Sequence, residues 1–158
     1  MEHAHSHQPQ QGGSLTGSAV QATLHCLTGC AIGEILGMVI ATAAGWSNAP
    51  SIAISIVLAF FFGYLLTIRG VLKAGVGPRR ALSLAFASDT LSITTMEIVD
   101  NGFIVLVPGA MDAGLGNALF WWSLGVSLAI AFVVAVPVNR WLIARGRGHA
   151  VMHELHAH

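Results

Sequence analysis

The chain has 158 residues, of which 54% are hydrophobic and only 9% charged, against about 25% charged in an ordinary water-soluble domain. With a mean hydropathy of +0.72, that composition excludes a soluble globular fold, and the length admits roughly four membrane helices of ~20 residues with short connections and no second domain. Seven Lys and Arg balance seven Asp and Glu, so overall charge points to neither nucleic acid nor an acidic partner.

Residues 1–18 are rich in His, Gln, Gly and Ser and hold no apolar period, which predicts a disordered His-rich tail. They lack the positive n-region of a signal peptide, so the first hydrophobic segment is expected to remain as a span. That span runs from about 19 to 46 and breaks at Ser47, Asn48 and Pro50; the second covers about 50 to 68. A connector with Arg69, Lys73, Pro78, Arg79 and Arg80 leads to a third span at about 81 to 107, ended by Pro108 and Gly109. The fourth runs from about 117 to 143, with Pro137 expected to bend it. Residues 149–158 form a second His-rich tail. The prediction is an all-α, polytopic membrane protein whose residues 19–148 make one domain of four transmembrane helices.

The basic residues, Arg69, Lys73, Arg79, Arg80, Arg140, Arg145 and Arg147, all follow span two or close span four. Those places share one side of the bilayer, and the Lys/Arg bias makes it the cytoplasmic side. Both termini are then cytoplasmic, the loops with Asn48 and Asp112 lie outside, and the expected location is the bacterial inner membrane. Trp46, Trp121 and Trp122 mark the outer interface and Trp141 the inner one.

Glu34, Asp89, Glu97 and Asp100 fall inside spans, where an acidic group costs about 2.5–3.5 kcal/mol on insertion scales. No Lys or Arg lies at their depth. They must be protonated, hydrated, or matched by a cation from outside the chain. Asp89, Ser92, Met96 and Asp100 recur at i, i+3, i+7 and i+11, one stripe along span three, with Thr90, Thr94, Glu97 and Asn101 beside it. Such a helix belongs at the centre of a bundle or along a wet path.

Span one carries Cys26, Cys30, Glu34 and Met38 at steps of four, with His25 beside them, next to the doubled GxxxG of Gly29, Gly33 and Gly37. Aligned by depth, Cys26 and Cys30 come near Asp89, Glu34 near Met96 and Glu97, and Met38 near Asp100. Soft sulfur favours Cu(I), imidazole suits copper, zinc and nickel, and carboxylates suit harder cations or protons. The mixture points to a transition metal, copper favoured, with zinc or nickel as alternatives. In the tails, His149, His153 and His156 share a helical face, and His3 makes an amino-terminal X-X-His sequence that suits Cu(II) or Ni(II).

The segments HCLTGCAIGEILG (25–37), SDTLSITTMEIVDN (88–101), VPGAMDAG (107–114) and PVNRWLIARGRGHA (137–150) resemble a family of small bacterial four-helix membrane proteins known as domain of unknown function 4396. The resemblance spans most of the chain from about Leu24 onward. It implies the fold class and membrane location and brings no activity with it; the tails lie outside it.

The expectation is a membrane protein that binds or transports a transition metal. His25, Cys26 and Cys30 form an inner site, and Glu34, Met96, Glu97 and Asp100 line the path. The Gly stripe is available for a homo-oligomer, and the other partners are lipids and metal ions. A thiol or quinone redox enzyme is the alternative, since Cys26 and Cys30 form CxxxC, unlike the CxxC of thioredoxin-type helices. A haem carrier would need more than His25 within a span, and a non-catalytic accessory subunit is a third class. No Gly-rich phosphate loop with Lys and Ser or Thr is present, so neither nucleotide nor nucleic acid is expected as a partner.

Overall fold

A computed structural model describes residues 14–145. They form four helices: α1 (Leu15–Ala44), α2 (Asn48–Lys73), α3 (Pro78–Leu106) and α4 (Ala118–Ala144). The connections at 45–47 and 74–77 are too short for anything but antiparallel hairpins. The start of α1 and the end of α4 therefore share one end of the bundle with the α2–α3 turn, and Arg69, Lys73, Arg79, Arg80, Arg140 and Arg145 gather there, exposed. That is the end that the Lys/Arg bias predicts to be cytoplasmic.

α1, α2 and α4 are each long and apolar enough to cross a membrane by length and composition. α3 has 29 residues, enough for about 44 Å at 1.5 Å per residue, but its acids lower its apolarity. Three helices thus meet the criterion of length and apolarity where four spans are expected. The outward face of α3 is nevertheless apolar: Leu82, Phe86, Leu91 and Ile98 are exposed, Ile98 by 69%, as is Val133 of α4 by 70%. An apolar exterior this extensive suits lipid and not water. The molecule is an all-α polytopic membrane bundle.

Helix boundaries differ from the hydropathy edges at several points. α1 begins four residues early because Ser14 caps it, its side chain accepting from the Gly17 amide at 3.0 Å. Residues 15–18, expected in the tail, are helical. α2 starts before Pro50, which sits in the first turn where its missing N–H costs nothing, and continues past Ile68 through Arg69 to Lys73. At the other end of α1, Gly45 adopts φ 68°, the left-handed cap that a side chain would resist. Pro137 lies inside α4 without ending it.

α1 touches all three other helices, most extensively α2, and meets α3 across the bundle centre; α3 packs on α2 and α4. The buried positions recur mostly every fourth residue and are small: Ala59, Gly63 and Thr67 on α2, and Ser123, Ser127, Ala131, Ala135 and Asn139 on α4. Small residues bring backbones together, the main source of association between helices in lipid. The Gly stripe of α1 is the tightest case. A Cβ on Gly29 would lie 2.7 Å from the Gly63 Cα, one on Gly33 2.5 Å from the Ala59 Cα, and one on Gly37 2.6 Å from the Ser55 Cα. The surface that the sequence offered to a second copy is thus occupied by α2 of the same chain.

Candidate functional site

The interior of the bundle is polar along one seam, where α1 faces α3. Glu34, Asp89, Glu97 and Asp100 are all buried, between 1% and 8% exposed. They are the only charged residue types buried among the described residues; no Lys or Arg accompanies them. Their spacing explains the burial: Asp89, Ser92, Met96, Glu97 and Asp100 occupy the inward face of α3, and Cys26, Cys30 and Glu34 the facing stripe of α1.

Contacts pair the two helices rung by rung. Cys26 lies beside Asp89 and Ser92, Cys30 beside Glu97, and Glu34 meets Asp100 within hydrogen-bonding reach. Cys26, Cys30 and Met96 also share the central core cluster with Ile93, Ala59, Ala131 and Ala135. The expected depth alignment holds for Cys26 at Asp89 and for Glu34 near Glu97, while Cys30 lies at Glu97 and Glu34 also reaches Asp100, about a turn beyond the expectation. Met38 packs against the cluster of Ala113, Phe120 and Leu124. The glycine contacts with α2 set the height of α1, and hydropathy edges do not encode them.

Each acid on α3 has one oxygen satisfied. Ser88 donates to Asp89 Oδ1 at 2.6 Å, Asn101 donates to Glu97 Oε2 at 3.1 Å, and the Ser127 hydroxyl donates to Asp100 Oδ1. The other oxygens, Asp89 Oδ2, Glu97 Oε1 and Asp100 Oδ2, have no hydrogen-bond partner, and neither does either oxygen of Glu34. The Glu34–Asp100 contact does not satisfy them by itself, because two carboxylates offer each other only acceptors. Unmatched acceptors in an apolar interior are costly. A row of them across a bilayer is therefore unusual unless positive charge visits.

His25, expected beside the cysteines, is exposed. It sits one residue round the helix from Cys26, exposed itself yet near enough to act electrostatically on Asp89. Both cysteines are free and, at 3% and 1% exposure, closed to soluble thiols. Among the described residues, no three His, Cys, Asp or Glu side chains converge into a set able to hold a metal ion. His3, His149, His153 and His156 lie outside the described residues.

A cavity of about 410 Å³ reaches from an exposed rim at Thr42, Trp46, Asn48 and Asp112 down to Glu34, Asp100 and Asn101, with room for on the order of ten waters. Asn48 donates to Asp112 across the rim at 3.2 Å. Toward the basic end, Asn139 donates to Thr23 at 2.7 Å beneath the cysteine rungs, and Val71 and Ala81 close the packing between α2 and α3. The seam is thus reached by this cavity from the Asp112 side.

Several of these partners escaped the sequence reading. Ser127, which fixes Asp100, sits in a row with Ser123, Ala131, Ala135 and Asn139 at steps of four on α4; that small-residue periodicity is the signal that marks it. Thr67, beside Asp89, belongs to a similar row on α2.

Comparison with known proteins gives a family and one distant likeness. The chain is similar to a protein of Novosphingobium aromaticivorans named undecaprenyl-diphosphatase, 36% identical over 81 residues, a stretch covering 49% of this chain and 27% of that protein. No solved structure matches. A family profile matches residues 17–148, all four helices included, and the chain belongs to that family, described as domain of unknown function (DUF4396).

Proposed function

We propose that the chain is a multi-pass bacterial inner-membrane protein that binds and passes cations along the α1/α3 seam, with a transition metal, copper foremost, as the cargo. The observation behind this reading is the row of buried carboxyl oxygens without partners between Asp89 and Asp100, with no Lys or Arg buried among the described residues. A cation supplies the charge that the fold withholds. Copper is favoured by the three sulfur atoms at mid-depth, Cys26, Cys30 and Met96. The lack of a preformed three-ligand set among the described residues fits transit from rung to rung better than a resident metal centre.

The likeness to a protein named undecaprenyl-diphosphatase favours a second reading, hydrolysis of a lipid diphosphate. Electrostatics weigh against it, because an acid-lined interior without buried Lys or Arg repels a diphosphate unless a divalent cation bridges them.

Proteoliposomes enclosing a metal-sensitive dye test the first reading. Wild-type protein should admit Cu(I) or a divalent transition metal, and Glu97→Gln and Asp100→Asn should abolish that flux while the protein stays folded. Unchanged flux in both variants, or phosphate release from undecaprenyl diphosphate without any flux, would overturn it.

A further inference from the structure

We infer that Glu34 and Asp100 form an outer cation site on the floor of the cavity, which takes a hard divalent cation from the Asp112 side. The inference rests on reading the seam as a cation path and names its first binding position and the ion class bound there.

Three observations carry it. Glu34 is 8% exposed and Asp100 1%, yet both line the cavity. Three of their four carboxyl oxygens lack a partner. The fourth, Asp100 Oδ1, is fixed by Ser127, which leaves Oδ2 as the open acceptor. Deep, unpaired acceptors at the end of a solvent-sized opening are what a dehydrating cation requires.

Charge balance selects the ion. Two facing carboxylates carry two negative charges between them, which one divalent ion balances through oxygen–metal contacts, with no oxidation. The other ionisable groups near the pair are Glu97 of α3, Cys30 of α1 and Asp112 at the rim. α4 contributes the serines Ser123 and Ser127, and α2 contributes Ser51 and Ser55. No Lys or Arg lines the cavity to compete for the carboxylates. The open donors here are oxygens, whereas the cysteine thiols lie deeper, at Glu97 and Asp89. The outer position thus suits carboxylate-seeking ions, and softer ligands come further in.

Mn²⁺ alone is the probe, because imidazole tails hold it weakly and carboxylates hold it well. Full-length protein in detergent should bind one Mn²⁺ per chain by electron paramagnetic resonance. Glu34→Gln and Asp100→Asn should each weaken binding roughly tenfold or more. No Mn²⁺ binding, binding unaffected by both variants, or displacement by Ag⁺ more readily than by Zn²⁺ would overturn the inference. Should the variants fail to fold, the order of displacement on the unaltered protein, Zn²⁺ before Ag⁺, decides. Mn²⁺ binding but no flux in liposomes would leave this site standing and sink the path; flux without Mn²⁺ binding would sink the site alone.

Discussion

One helix, α1, presents two faces of opposite character. Toward α2 it is bare: Gly29, Gly33 and Gly37 bring two backbones together with no room for a methyl group. Toward α3 it is crowded with Cys26, Cys30 and Glu34, which meet acids whose outer oxygens are unmatched. The first face gains dispersion contacts at every turn and holds the bundle together. The second is a stability cost that packing alone does not explain. Natural proteins keep such costs where function needs them.

Substitutions on the two faces should therefore fail in different ways. Gly33→Val sets a side chain against the Ala59 backbone and should cost at least ~3 kcal/mol, seen as loss of monodisperse protein or a collapsed thermal transition in detergent. Gly125→Ala, where nothing lies within 4 Å, should stay within about 1 kcal/mol of wild type in the same assay. On the other face, Glu97→Gln should leave unfolding within about 1 kcal/mol of wild type, or raise it, while removing flux. A large stability loss there would erase the distinction between the faces.

Smaller effects sharpen it. Ser127→Ala removes the hydroxyl that fixes Asp100 and should lower Mn²⁺ affinity severalfold for about 0.6 kcal/mol of stability. Asn139→Leu breaks the 2.7 Å contact with Thr23 at the basic end and should cost about 1 kcal/mol by thermal unfolding. Asn48→Ala, which cuts an exposed 3.2 Å bond at the rim, should move stability by less than about 0.5 kcal/mol.

The architecture was legible because its signals are periodic. Hydropathy marked four helical segments, and steps of three and four along 89–100 put Asp89 and Asp100 on one stripe with Glu97 on the next, all three of which are buried. Register was legible only to within about a turn: the pairing of Glu34 with Asp100 depends on how far the glycines of α1 let it sink against Gly63 and Ala59, a backbone contact with no counterpart in residue type. His25 shows the other limit. Adjacency in sequence to Cys26 suggested a shared site, yet one residue is about 100° of helix rotation, and His25 is exposed. Ser127 and Thr67 went unnoticed because serine and threonine are common in membrane helices, and only three-dimensional packing shows which of them meets an acid.

The central claim is that the buried carboxyl groups between α1 and α3 await a positive charge from outside the chain. Infrared difference spectroscopy of the protein in lipid, recorded as Mn²⁺ or Zn²⁺ is added, reads those groups directly. The account predicts a change in the carboxylate bands, diminished in Glu34→Gln and Asp100→Asn. A carboxyl region that stays flat on metal addition, in a protein otherwise intact, would contradict it.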